Sequence, residues 1–446
     1  MQKFMEAFGA GAAPFVCSAP GRVNLLGEHI DYNGLPVLPM TLNRETVAVA
    51  RAASGNTVRL RNMNAAFPGE EFENISPLPQ SIAGGWVNYC KAAIEGINQE
   101  IGIEHGPGMD VLVGGDLPTA AGMSSSSALV VTIALAYLRI LDRPVEGSAQ
   151  RVALATLLAQ AERYVGVHGG GMDQAIILLG ERGHACKIDF FPLRVERVPL
   201  FSTYTFVVCD SLVVADKSGA ALHRYNAGPA SCKLIRALVE RHAQITFGDE
   251  VELERLGDLW FGPLCLTHGE VQALFREAFP RPRTTLAELS SILDLGESEI
   301  RRRWIRDLPE PEGGFPLQAL ARHQITEYMR VEQGRDCLLA GDAEGFGGLM
   351  NDSHHSCAQD YGVSSAELDA LVRIGRSAGS SGSRLTGAGF GGATVHLVEK
   401  DGVEKFISVL NREYYEDLAG HRGVDAVKRG WIIIAEPRDA AGYEHL

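Results

Sequence analysis

The stretch APGRVNLLGEHIDYNG, residues 19–34, places Arg22, Glu28, His29, Asp31 and Tyr32 within eleven positions of a chain that is otherwise apolar there. Ionisable groups among apolar neighbours cost free energy unless something satisfies them. The run therefore reads as the wall of a site, although these residues alone do not name its ligand.

A second run, GGDLPTAAGMSSSSALVVTIALA (114–136), opens an apolar helix with Gly122 and four consecutive serines, Ser124, Ser125, Ser126 and Ser127. Free N–H groups and the positive end of the dipole make a helix start an anion site. Small residues let phosphate oxygens approach the backbone, and a serine hydroxyl can ligate Mg²⁺. The lysine of the better-known G-x-x-x-x-G-K-[ST] loop is absent. A serine-capped helix is the plainer alternative, but four serines exceed what one cap uses, so phosphate binding is expected.

A third run, AERYVGVHGGGMDQAI (161–176), leads Glu162 into Gly169, Gly170 and Gly171 and then Asp173. Glu162 and Asp173 could serve as metal ligand and general base. Asp173 could equally cap the next helix, and on these residues both readings stand. The last run, GSRLTGAGFGGATVHLV (382–398), is dense in glycine ahead of a strand. One glycine loop is a weak signal, though a plain turn needs fewer glycines than this.

These residues need elements to hold them. Alternation in PVLPMTL and ETVAVARA, within 35–61, predicts strands, as do GMDVLVGGDLP (108–118), 184–200 and 203–214. Helical spacing predicts helices over 125–141 and 152–167. The first 210 residues thus mix strands and helices in an α+β pattern. Residues 230–345 are richer in charge and helical spacing, and FPRPRTT and DLPEPEGGFP are loops by their prolines. After 365 the order is helix, glycine loop, strand, and WIIIAEP is a further strand. A chain of 446 residues exceeds one core. Two domains are expected, with a boundary near 205–225, taken as 1–210 and 211–446.

A net charge of −14 argues against nucleic acid as partner. The eight cysteines include no Cys-x-x-Cys pair, which reads as reduced thiols in a cytoplasmic protein. NDSHHSC sets His354, His355 and Cys357 together, but a zinc site needs a second ligand pair, and a helix end with incidental polar residues is the expectation. No signal peptide is read at the start. The apolar run 128–141 is too short to span a bilayer and carries Arg139.

Taken together, the runs resemble the GHMP kinases, and within them the galactokinases. GRVNLLGEHIDYNG is similar to the galactokinase signature, and GMSSSSAL and GSRLTGAGFGG to the second and third family motifs, in the family's order. WVNYCKA and ERYVGVHGGGMDQ match stretches between them, and GEHIDY, SSSSALV and GGGMDQ resemble the eukaryotic-type branch, which includes N-acetylgalactosamine kinases. The resemblance implies a two-domain fold with the active site in the inter-domain cleft. It also implies transfer of the ATP γ-phosphoryl group to a sugar's anomeric hydroxyl, with Mg²⁺. By match to the motif, Glu28, His29 and Asp31 should bind sugar hydroxyls and Gly170 should offer backbone contact. Tyr225 should form one wall, and Arg22 should sit beside Asp173, the general base. On the nucleotide side, the backbone of 121–127 should bind phosphates, Ser126 and Glu162 should hold Mg²⁺, and Trp86 should border the adenine. Residues 386–392 should close over the phosphates or brace the second motif. Small-molecule partners, sugar and ATP, are implied; the sequence is silent on oligomeric state, monomer or weak dimer.

One departure stands out. The family commonly continues Tyr-Asn-x-Arg after the wall tyrosine, whereas here Tyr225 and Asn226 are followed by Ala227, Gly228 and Pro229. A helix starting there should be altered, since proline suits only a first turn. Many N-acetylgalactosamine kinases carry Phe at the Tyr225 position, so galactose is the expected sugar, with N-acetylgalactosamine or another galactose-like sugar the alternative. A non-catalytic galactose sensor is a second alternative. It should show damage to the serine motif or the acid, and SSSSAL, Arg22 and Asp173 are intact.

Overall fold

The computed structural model describes residues 1–82, 85–166, 169–214, 222–306 and 308–444, save the side chains of residues 222–225. Helix α1 (Gln2–Phe8) precedes strands β1 (Phe15–Leu26), β2 (Leu38–Ala53), β3 (Thr57–Asn62) and β4 (Glu70–Glu73). Helix α2 (Trp86–Ile101), strand β5 (Gly108–Gly115) and helices α3 (Ser125–Ile140), α4 (Ser148–Ala161) and α5 (Met172–Leu179) follow. The expected strands PVLPMTL and ETVAVARA fuse into the single sixteen-residue β2. Strands β1, β2, β5, β3 and β4 lie side by side in one sheet, antiparallel except for the β3–β5 pair. Helices α2 to α5 pack with that sheet around the larger apolar core. The reason lies in α3: it is apolar on every side, buried from Ser127 to Tyr137, and such a helix is stable only when surrounded.

Strands β6 (His184–Asp189) and β7 (Arg194–Pro199) form a hairpin ahead of β8 (Tyr204–Asp210). The helical stretch comprises α6 (Leu222–Phe247), α7 (Asp258–Phe261), α8 (His268–Ala278), α9 (Leu286–Leu293), α10 (Glu297–Ile300) and α11 (Leu317–Ala340). Then come α12 (Ala343–Ser356), α13 (Ala366–Ser377), β9 (Gly382–Thr386), β10 (Ala393–Glu399), α14 (Val403–Leu410), β11 (Ile432–Ala435) and β12 (Gly442–Glu444). A four-stranded antiparallel sheet runs β11-β8-β10-β9, with α12, α13 and α14 against it.

The two sheets do not divide the chain at a single point. β8 lies within residues 1–210 but pairs with β10 and β11, and β12 returns to pair with β1, Val16 opposite Glu444. The mixed helix-and-strand class is as the sequence implies, while each sheet takes one strand from the other side of the expected boundary. One correction concerns Pro229. It lies inside α6, which continues through it to Phe247. Proline removes one helix hydrogen bond, but Cys232, Leu234, Ile235, Leu238 and Val239 are buried in the helical core, and that packing carries the helix on. No helix among the described residues is long and apolar enough to cross a membrane.

Candidate active site

The 19–34 run is a strand that breaks into a turn. β1 pairs with β2, and the register shifts between Pro20 and Arg22 and again between Asn24 and Leu26. Gly27 then turns with φ +95°, where a Cβ would lie 2.8 Å from the Val37 Cα, so only glycine fits. His29 follows in the left-handed region, and Asp31–Asn33 form one 3₁₀ turn. This path sends Arg22, Glu28, His29 and Asp31 into a single open cavity. The same cavity is lined by Ser126 and Ser127 at the start of α3, by Glu162 after α4, and by Gly170 and Asp173 at the start of α5. Gly387 and Ala388, from the loop after β9, line its other side, so the cavity lies between the two sheets' regions.

At its centre the Arg22 Nε donates to the Asp173 Oδ1 at 2.7 Å, with Arg22 2% exposed and Asp173 19% exposed. A second guanidinium N–H of Arg22 donates to the Gly122 carbonyl at 2.5 Å. Burial works against the Arg22 charge, but Asp173 and Glu28 more than offset it and hold its pKa above the ordinary value. Asp173 is in the first turn of α5, whose N-cap is Gly171 and whose end has no side-chain cap. The capping alternative for Asp173 is therefore not realised, and its carboxylate is turned to Arg22 and the cavity.

Asp31 has a different environment. Its Oδ2 accepts from the Met172 N–H at 3.3 Å. Burial, and then the neighbouring Asp173 charge, push its pKa up from 3.8 to about 6. Gly170 makes room for it: a Cβ there would stand 2.0 Å from the Asp31 Oδ2. His29 donates through Nε2 to the Ala388 carbonyl at 3.2 Å, and its ring stacks on Tyr361 with centroids 4.7 Å apart. The Glu28 Oε2 accepts from Arg384 at 3.1 Å and from the Gly387 N–H at 3.0 Å. Burial raises the Glu28 pKa against the pull of Arg384 and Arg22.

The serine run opens α3 with a strained backbone. Ala120, Gly122 and Ser124 all have φ between 57° and 75°. Ser124 occupies the N-cap in the left-handed region, makes no side-chain cap bond, and its hydroxyl is buried without a partner. Serine capping thus does not explain the motif; strain kept at a helix start is a feature of ligand sites. The glycine loop after β9 lies backbone to backbone on this motif: a Cβ on Gly387 would stand 2.6 Å from the Gly122 carbonyl oxygen.

Some expected residues fall elsewhere. Trp86 begins α2 in the core, 9% exposed, its indole N–H donated to the Pro68 carbonyl at 2.8 Å, and it does not line the cavity. Ser125 and Ser124 border α3 without lining the cavity. The side chain of Tyr225 lies outside the described residues. Gly228 has a clear role: its Cβ would fall 2.3 Å from the Tyr361 hydroxyl oxygen, so the glycine admits the ring that backs His29. His354 meets the Leu385 N–H through Nδ1 and Asp369 through Nε2, so it fastens a helix end. Sequence reasoning missed Arg384, Glu327 and Tyr361. Each is far in sequence from the loop it touches; Arg384 alone stands inside a motif, GSRLTGAGFGG, and Glu327 and Tyr361 lie in none.

The N-terminal part of the chain matches the family model of the galactokinase galactose-binding signature over residues 2–52. Models of the GHMP kinase N-terminal domain and of the GHMP kinase C-terminal region match residues 88–181 and 335–417. A galactokinase of Dictyostelium discoideum is 31% identical, covering 93% of this chain and 87% of its own length. A galactokinase of Roseiflexus sp. (strain RS-1) is 34% identical, covering 93% and 91%. The crystal structure of Lactococcus lactis galactokinase complexed with galactose superposes with a TM-score of 0.75 at 27% identity, over 99% of this chain and 97% of that one. Methanococcus jannaschii mevalonate kinase shares the fold at 16% identity, with a TM-score of 0.56 over 90% and 96% of the two chains. The chain belongs to the galactokinase family of the GHMP kinases.

Proposed function

We propose that this protein phosphorylates D-galactose at its anomeric hydroxyl, using ATP and releasing ADP and galactose 1-phosphate. The observation that carries the proposal is the buried Arg22–Asp173 pair at the head of a cavity that Glu28, His29 and Asp31 of the galactose-binding signature also line. Asp173 is the general base for the anomeric hydroxyl. Phosphoryl transfer passes through a loose transition state, so holding the hydroxyl in line matters as much as removing its proton. Arg22 offsets the charge that builds on the transferring group, and its second bond to the Gly122 carbonyl ties the acid to the phosphate loop.

Glu28, His29 and Asp31 satisfy the sugar hydroxyls. A site built this way rejects analogues that leave its buried groups unpaired. The backbone amides around 121–127 hold the phosphate chain. Ser126 and Glu162 line the same cavity as Asp173, and a hydroxyl with a carboxylate is the hard-oxygen pair that Mg²⁺ takes. Bound there, the ion would neutralise phosphate charge. All eight cysteines are free thiols, which supports a cytoplasmic setting.

The test is coupled ADP release with ATP and Mg²⁺ on D-galactose, N-acetylgalactosamine, L-arabinose, D-galacturonate and D-glucose. Galactose should be preferred. Preference for the N-acetyl sugar would move the protein to the sister activity, and binding without turnover would make it a sensor.

A further inference from the structure

The turn that carries Glu28 and His29 is outside any helix or strand, so something else must hold its shape. That support comes from α11, some three hundred residues away in sequence. Glu327 on this helix is fully buried. Its Oε1 accepts from the Gly27 N–H at 2.8 Å, the Glu28 N–H at 3.2 Å and the Ser353 hydroxyl at 2.7 Å. Its Oε2 accepts from the Arg330 Nε at 2.7 Å. Two successive backbone amides on one oxygen fix the peptide planes on both sides of Gly27, and hence the direction in which the Glu28 side chain leaves the backbone. Burial works against the Glu327 charge, but Arg330, Arg384 and His323 outweigh it and hold its pKa low. The same helix also holds the carbonyls of the two residues that follow: His323 Nε2 donates to Glu28 and Gln324 Nε2 to His29, at 2.9 and 3.0 Å.

We propose that Glu327 is a positioning residue for the sugar, aiming Glu28 and His29 into the cavity from the far side of the turn. The proposal rests on the reading of Glu28 and His29 as sugar contacts. Charge alone does not explain Glu327. A salt bridge to Arg330 needs one oxygen, whereas here the other oxygen is committed to the turn. Glutamine at 327 would have one acceptor for both sets of donors, so either Arg330 or the turn would lose its partner.

The experiment is steady-state kinetics on Glu327→Gln, Ser353→Ala and His29→Ala, varying galactose and ATP separately. Glu327→Gln should raise the galactose KM about tenfold while the ATP KM stays within about twofold. Ser353→Ala, which removes one bond to the same oxygen, should raise the galactose KM about twofold to fivefold and decides the matter if Glu327→Gln fails to fold. An unchanged galactose KM in these variants, or equal rises for galactose and ATP, would overturn the positioning role. His29→Ala separates the two layers. A raised galactose KM there with none at 327 or 353 would refute only this proposal, while no effect at His29 would refute the sugar reading of the turn and this proposal with it.

Discussion

Asp31→Asn should stabilise the protein without sugar while weakening galactose binding. The carboxyl is pushed from 3.8 to about 6 by burial and then by Asp173. At about 1.4 kcal/mol per pH unit, that rise corresponds to about 3 kcal/mol spent on keeping Asp31 ionised in the native state. Asp31 is only partly buried by its surface exposure, and cavity water screens part of this, so about 1–3 kcal/mol is expected. Asparagine keeps an oxygen for the Met172 N–H and carries no charge. The sign follows from linkage: the native pKa lies above the unfolded one, so the native state binds more protons between about 4 and 6. Wild-type stability therefore gains as pH falls through 6 and the gain is complete below the unfolded pKa. The variant's advantage should be greatest near pH 8 and vanish towards pH 4. Thermal denaturation without sugar at pH 8, 6.5 and 5 reads this as a rise of a few degrees in Tm that shrinks with acidity. Galactose KM, measured alongside at pH 8, should rise at least about tenfold if Asp31 accepts a sugar hydroxyl. A variant less stable than wild type at pH 8, or an advantage that does not change with pH, would refute the electrostatic account.

Asp173→Asn should lower kcat by about 10²-fold or more while calorimetry still shows galactose binding; near wild-type turnover would leave Asp173 without the base role. Ser126→Ala should shift the Mg²⁺ dependence of the rate to higher concentration, and an unchanged Mg²⁺ curve would leave the hydroxyl with no part in holding the ion. Gly228→Ala places a methyl 2.3 Å from the Tyr361 hydroxyl oxygen, so Tyr361 must move off His29; galactose KM should rise several-fold with ATP KM unchanged.

What the sequence conveyed was the chemistry, because chemistry needs particular residue types close together in the chain. Arg22 and Asp173 were read from separate motifs, and the structure brings them to 2.7 Å. The apolar α3 was legible for the same local reason. Partners that come from far along the chain were not. Glu327 looks like any helical glutamate in LARHQITEYM, and only the fold sets it under Gly27. β12 is three residues long and has no pattern to read. Trp86, expected beside the adenine from the resemblance alone, packs in the core with its indole N–H donated to Pro68. Pro229 followed a sound rule about helix interiors, and the buried face of α6 outweighed it.

The return of β12 to β1 has a consequence for how the protein is made. Until residues 442–444 emerge, the first sheet presents β1 as an open edge for about 400 residues of synthesis, with unpaired N–H and C=O groups facing whatever is near. The sugar turn leaves from the other end of that same strand. Its supports, Glu327 on α11 and Arg384 on β9, are also synthesised late. The site therefore cannot mature on the ribosome in the order in which it is written, and a nascent chain stalled before α11 should hold the signature motif without being able to bind sugar.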